Sequence, residues 1–402
     1  MLNGPFTPWP QYTQQEADAV ADVLRSNKVN YWTGEQCRTF EVEFANFVGC
    51  GSAIAVANGT VALDLALLAL DLGPGDEVVV TSRTFIASVS CIVNAGATPI
   101  FADVDLSTQN ITADTISAVI SDKTKAVICV HLAGWPCDMD PIMELATTLK
   151  IHVIEDCAQA HGARYKGKSV GSIGHIGCWS FCQDKIMTTG GEGGMVTTSD
   201  EGLWSKMWSY KDHGKDWEAM TQQTSDRGFR WVHHSFGTNW RMTEIQAVIG
   251  RIQLKRLTSW QDKRSNYAQQ IWATANRTET MFAPTLSCSG CDGSCEKRVG
   301  CSHAAYKCYV FVKGAPANRS IILDHINKAG VPCYEGSCSE VYLEAAFDAS
   351  GFRPTQRLPN AKDLGEQSLM FLCHPTLTTS EIERTCHAII EADMQMQKGR
   401  NR

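Results

Sequence analysis

Residues 52–82, SAIAVANGTVALDLALLALDLGPGDEVVVTS, change character twice. SAIAVA (52–57) is a short apolar run of strand length, and VALDLALLALDL (61–72) is long and apolar enough for a buried helix. GPGDE (73–77) carries the Gly and Pro of a turn, and EVVVTS (77–82) is a second, β-branched strand. A strand, a helix and another strand in this order imply a crossover connection and parallel pairing.

The alternation continues outward from this unit. FIASVSCIVNAG (85–96) reads as a helix ending at Gly96, and TPIFADVD (98–105), KAVICVHL (125–132), HVIEDC (152–157), CWSFC (178–182) and GMVTTS (194–199) read as strands. The pattern predicts an α/β domain built on a mostly parallel sheet. TEIQAVIGRIQLKRL (243–257) reads as a helix with Thr243 as N-cap and Gln246 completing a capping box. Beyond about residue 260 the pattern changes. A polar, cysteine-rich loop (287–302) precedes the strand YKCYVFV (306–312) and the helices RSIILDHINKAG (319–330) and SEIERTCHAIIEADMQMQ (380–397). We therefore expect a large domain over 1–260, including the N-terminal segment, and a smaller α+β unit over 261–402.

Composition narrows the function. The chain has 402 residues, 44% hydrophobic and 20% charged, as a globular core requires. A formal net charge of −7 argues against a nucleic-acid binder. No secretory signal pattern opens the chain, and the longest apolar stretch, 53–70, is interrupted by Asn58, Gly59, Thr60 and Asp64. The expectation is a soluble cytoplasmic protein with no membrane contact, its seventeen cysteines mostly reduced and many of them buried.

Three places carry candidate chemistry. Asn58-Gly59-Thr60 lies between a strand and a helix, where unpaired N–H groups and the helix dipole make a phosphate cradle, or simply a capped turn. Asp156 ends a buried strand at the edge where α/β sheets place their ligands; it is a metal ligand, a general base, a partner for a protonated ring nitrogen, or a loop carboxylate. His161 nearby reads as structural. Lys185 follows CWSFC, with Ser180 facing one side of the strand and Phe181 the other, and precedes the tightly turned TTGGEGG. A desolvated lysine beside a polar, glycine-rich loop is suited to imine chemistry. A phosphate cradle, a buried carboxylate and an activated lysine are together the parts of a pyridoxal 5'-phosphate (PLP) site.

The segments ANGTVALDLALLAL, GPGDEVVVTSRTFIASVSCIVNAGATPIFADVD, HLAGWPCDMDPI, IEDCAQAHGARYKGKSVGSIGHIGCWSF, KIMTTGGEGGMV and GTNWRMTEIQAVIGRIQLKRL stand in this order along the chain. In them the sequence resembles the DegT-type aminotransferases of nucleotide-sugar biosynthesis, within the fold-type I PLP enzymes. The resemblance is strong over roughly residues 5–280 and looser beyond. It implies that Lys185 is the Schiff-base lysine, that Asp156 partners the pyridine nitrogen and that Gln159 lies near the ring's phenolic oxygen. It also implies that Phe85 stacks on the ring, that Gly59, Thr60 and Ser180 hold the phosphate, and that Asn239 reaches the phosphate from the other subunit of a homodimer with shared active sites. Arg241, in the same motif, is either part of that site or a structural salt-bridge residue.

The implied activity is transfer of an amino group from glutamate to a nucleotide-linked keto-sugar, a 4-keto-6-deoxyhexose, for polysaccharide or glycosylated-metabolite synthesis. Family members with histidine at the lysine position are sugar dehydratases, and a non-catalytic PLP-binding regulator is a further alternative. Lys185 favours transamination over both. Two departures stand out. TTGGEGG is one glycine longer than the family's common TTGEGG, and the run Cys288, Cys291, Cys295, Cys301 with His303 has no usual counterpart. Its spacing is irregular for zinc, and the expected chemistry needs no metal, so none is assigned.

Overall fold

The computed structural model describes residues 4–221, 230–286 and 300–400. Cys288, Cys291 and Cys295 lie outside the described residues.

Nine strands precede residue 200. They are β1 (Ser52–Val56), β2 (Glu77–Thr81), β3 (Thr98–Ala102), β4 (Thr124–Val130), β5 (His152–Asp156), β6 (Arg164–Tyr165), β7 (Lys168–Ser169), β8 (Ile176–Ser180) and β9 (Gly194–Thr198). Seven form one sheet in the order β1-β9-β8-β5-β4-β2-β3, while β6 and β7 pair as a separate hairpin. β2, β3, β4, β5 and β8 run parallel, whereas β9 is antiparallel to both β1 and β8. The exception has a local cause. Residues 181–193 between β8 and β9 form no helix, so the chain turns back beside the strand it has just left.

Strands buried on both faces need apolar residues at successive positions. β4 supplies Ala126, Val127, Ile128, Cys129 and Val130, all at most 2% exposed. The helix Gly59–Ala69 is buried along Ala62, Leu63, Leu65, Ala66, Leu67 and Ala69, more than a single stripe, because it packs between the sheet and neighbouring helices.

The helix starting at Glu244 is capped as its sequence predicts. Thr243 Oγ1 accepts from Gln246 N, and Gln246 Oε1 accepts from Thr243 N at 2.9 Å. It runs to Ala275, well past 257 and continuously through residue 260. Its first part packs into the sheet's core through Ala247, Leu254 and Leu257, and its last part into a second core through Ala268, Ile271 and Ala275. The stretch after 257 is rich in polar residues, so its thin apolar stripe gives little signal in sequence.

The second core surrounds β10 (Met281–Phe282), β11 (Cys308–Val312), β12 (Cys333–Tyr334) and β13 (Ser368–Phe371), an antiparallel sheet in the order β10-β11-β13-β12. Helices Pro316–Lys328 and Thr379–Arg400 cover it, and Phe6 of the N-terminal segment joins its core. Of the fourteen described cysteines, ten are buried as small hydrophobes. Among the described residues no helix is long and apolar enough to cross a membrane.

Candidate active site

β1, β5 and β8 end at one edge of the sheet, and a cavity of about 670 Å³ opens there. Seven of the eight residues singled out in sequence line it: Gly59, Thr60, Phe85, Asp156, Gln159, Ser180 and Lys185. Asn239 does not line it. It is exposed and pairs through its backbone with Asp212.

One end of the cavity is built from the start of the helix Gly59–Ala69. Asn58 adopts an extended N-cap conformation, and its Oδ1 accepts from Val61 N at 2.9 Å. That bond leaves the amides of Gly59 and Thr60, the first two of the helix, without an intrahelical acceptor. Glycine is required here by close approach, since a Cβ at residue 59 would lie 2.5 Å from Ser180 Cβ. Gly59→Ala should therefore force the helix start and β8 apart, at a cost of about 1–3 kcal/mol. The check is a melting curve of the cofactor-loaded protein, which should shift down and show weaker cofactor retention; an unchanged melt and unchanged loading would contradict the packing. Ser180 ends β8, and Phe181 turns the other way into the core against Phe40 and Phe44, as strand alternation predicts.

The two acids ending β5 also point apart. Asp156 faces the cavity, where its carboxylate accepts from Ser88 Oγ at 2.7 Å and from Ala158 N at 3.1 Å. Ser88 is itself held by Thr84 Oγ1 at 2.8 Å. Glu155 is fully buried and accepts from the amides of Gly171, Ile173 and Gly174 and bonds His131 Nε2 at 2.9 Å. Burial pushes its carboxyl up, but His131 and these amides outweigh that and hold it below the usual carboxylate range. Glu155 shapes the loop; Asp156 is the one offered to a ligand.

Gln159 Oε1 accepts from Ala133 N at 2.8 Å, which leaves its amide NH₂ for the cavity. Lys185 sits in the turn after β8. Its N–H donates to Cys182 O at 3.1 Å, its carbonyl accepts from Trp9 Nε1 at 2.8 Å, and its Nζ stands 5.1 Å from the centre of the Tyr306 ring. Tyr306 OH donates to Asp184, the residue beside Lys185. Burial pushes the Asp184 carboxyl up, but Lys185 and Tyr306 outweigh it and keep it below its ordinary range. The additional glycine is accommodated by positive φ at both Gly190 (89°) and Gly191 (117°). Phe85, 68% exposed, lines the cavity with a large apolar face open to a ligand.

His161 lies behind the site against Trp179 and Phe181, where burial and then Lys185 push its pKa down to about 3. It stays neutral, in keeping with a structural residue. Arg241 Nη1 donates to Asp212 Oδ1 at 2.8 Å, so of its two readings the salt bridge is present. Of the cysteine run's described members, Cys301 Sγ accepts from Lys166 N, and His303 is packed between Trp135 and Trp272 with Nδ1 accepting from Ala305 N. Ser88, Asp184 and Tyr306 were missed in sequence. Ser88 has no local signal at all, and Tyr306 meets Asp184 from 122 residues away.

The donor set suits PLP: free helix amides and a serine hydroxyl for a phosphate, a carboxylate carrying no positive partner among the described ion pairs for a pyridinium nitrogen, and a lysine for an aldehyde. Comparison with known proteins agrees. The chain is 43% identical over 259 residues to GDP-perosamine synthase of Escherichia coli O157:H7, covering 64% of this chain and 68% of that protein. It is 43% identical over 235 residues to UDP-N-acetyl-3-dehydro-alpha-D-glucosamine 3-aminotransferase of Acidithiobacillus ferrooxidans, covering 58% of this chain and 60% of that one. The crystal structure of an aminotransferase from Psychrobacter cryohalolentis superposes with a TM-score of 0.94 at 59% identity, covering 98% of this chain and 100% of that one. Residues 10–390 match the family model of the DegT/DnrJ/EryC1/StrS aminotransferases, and the chain belongs to that family of PLP-dependent enzymes.

Proposed function

We propose that this aminotransferase moves the amino group of glutamate to a nucleotide-linked keto-sugar, a 4-keto-6-deoxyhexose, for polysaccharide or glycosylated-metabolite synthesis in the cytoplasm. The observation that carries the reading is the convergence of Lys185, Asp156 and the Gly59–Thr60 amides on one cavity. Relatives named for GDP- and UDP-linked sugars support a nucleotide-linked acceptor and leave the nucleotide open.

When bound, PLP supplies a sink for the electron pair released at the substrate carbon. The chain's residues do the rest. Gly59, Thr60 and Ser180 would hold the phosphate, Phe85 would cover the ring and Gln159 would donate to its phenolic oxygen. Asp156 keeps the ring nitrogen protonated, held in place by Ser88. Lys185 Nζ would hold the cofactor at rest; once displaced by the donor's own amine, the freed lysine amine would take the proton from the donor's Cα. Water would then release the donor's carbon skeleton as 2-oxoglutarate while its nitrogen stays with the cofactor, and the same steps in reverse, with loss of one water, would deliver the amine to the sugar's carbonyl carbon. A lysine at 185 argues against the dehydratase alternative. Incubation with glutamate and a panel of keto-sugar nucleotides tests the reading: 2-oxoglutarate and one aminated sugar nucleotide are expected, and dehydration without amino transfer would overturn it.

Asn239, outside its own chain's cavity, completes the phosphate site of a partner subunit in this proposal, which makes the active unit a homodimer. Mixing Lys185→Ala with Asn239→Ala subunits should then recover activity, because one hybrid site carries neither lesion. Subunit exchange without recovery would contradict shared sites.

A further inference from the structure

A second cavity, about 850 Å³, adjoins the first, and the two meet at Asp184, Tyr306 and Lys307. The N-terminal segment around Trp9, the glycines Gly190 and Gly191, and the buried residues Arg264 and His374 form its other walls. Its charges are unbalanced. Arg264 is 1% exposed; its Nη1 donates only to the carbonyls of Ala305 and Tyr306, and its guanidinium faces the Trp9 ring at 5.1 Å. Its Nε and Nη2 are buried and find no partner among the described residues, and neither does His374 Nε2. Lys307 has no carboxylate partner among the described ion pairs, and its Nζ stands 4.8 Å from the centre of the Tyr306 ring. Asp184 is the only acid lining this cavity among the described residues, and it already accepts from Tyr306 OH.

Asp184 faces both Lys185 and Lys307, so with Arg264 nearby three cations share one carboxylate, an excess of positive charge in a partly dry space that is unfavourable unless a further anion enters. We propose that Lys307, backed by the buried charge of Arg264, forms an oxyanion subsite that seats an acidic group of the substrate whose reacting end lies at Lys185. The subsite deepens the amino-transfer reading above and rests on it. The reach is suitable. Lys185 Nζ and Lys307 Nζ stand 5.1 and 4.8 Å from the same ring centre, which puts the two amines within about 10 Å of each other. An extended five-carbon amino diacid spans roughly 6 Å from its nitrogen to its distal carboxylate oxygen. One further hydrogen bond of about 2.8 Å brings it to a lysine ammonium. The first phosphate of a nucleotide-linked sugar offers the same chemistry, so two sources compete for the subsite.

The two halves of the transfer separate them. In cofactor-loaded Lys307→Met, the glutamate concentration that half-saturates the donor half-reaction should rise about tenfold or more if the seat takes the donor's carboxylate, with the acceptor half-reaction unchanged. The acceptor half alone should weaken if it takes the phosphate, and both should weaken if the substrates share it. Lys307→Arg should stay within a few-fold of wild type, a rescue that a merely structural role would not give. Unchanged halves in a folded, loaded Lys307→Met enzyme would overturn the proposal. If that variant fails to fold, calorimetric titration of the wild-type holoenzyme decides. Glutarate or inorganic pyrophosphate should bind at least about tenfold more tightly than the uncharged pentanediamide, and equal affinities would overturn the subsite. That titration needs no turnover, so it stands even if glutamate proves not to be the donor.

Discussion

Lys185→Ala should abolish amino transfer while leaving the fold intact. In the proposed mechanism the lysine side chain is both the proton-transfer group and the attachment point for the cofactor, and loss of both is expected to lower turnover by at least about ten-thousandfold. Structural damage should be small. The contacts that shape the turn, Lys185 N to Cys182 O and Trp9 Nε1 to Lys185 O, are made by backbone atoms of residue 185 and survive truncation. PLP should still bind through Gly59, Thr60, Ser180 and Asp156, with its absorption changed. The check is a single-turnover assay alongside a melting curve. Residual transfer within about a hundredfold of wild type would assign the proton step to another group.

Asp156→Asn is expected to cost about 4 kcal/mol of transition-state stabilisation, a fall in turnover on the order of a thousandfold. The substitution keeps nearly the same shape and can keep a bond to Ser88, 2.7 Å away, so it isolates the charge. A carboxylate beside a protonated ring nitrogen stabilises the electron-rich transition state more than the resting state, which is why turnover falls further than cofactor affinity. Near-normal turnover with bound PLP would contradict the role. Ser88→Ala should have a milder effect in the same direction, because the carboxylate remains and only its orientation loosens.

Much of this architecture was legible in the chain because burial on two faces forces apolar runs. β1, β2, β3, β5 and β9 fall within the segments read as strands, and β4 and β8 overlap theirs but start at Thr124 and Ile176, ahead of the apolar runs. The capping box at Thr243 gave a helix start to the residue, since its signal is local. What escaped is non-local or too short. β10 and β12 are two residues each and owe their existence to pairing with β11 and β13. The helix beyond 257 shows no broad apolar face, because it passes between two cores and is held by scattered residues such as Arg264, Ala268 and Ile271. In the site, Lys185 and Asp156 stood out by chemistry and position. Ser88, 68 residues from the carboxylate it orients, and Tyr306 could be found only once the chain was folded. The antiparallel course of β9 was in principle readable, because a connection with no helical pattern leaves no crossover to bring the chain back parallel.

The most direct test of the account is reduction of the purified protein with borohydride, followed by peptide mapping. Lys185, in the turn after β8 and lining the same cavity as Asp156, should carry the reduced cofactor, and the yellow absorption of the protein should bleach in step with labelling. Stoichiometric label on the peptide containing Lys185 is the expected result. Label on a different lysine, or a coloured protein that yields no labelled peptide, would contradict the assignment of the site.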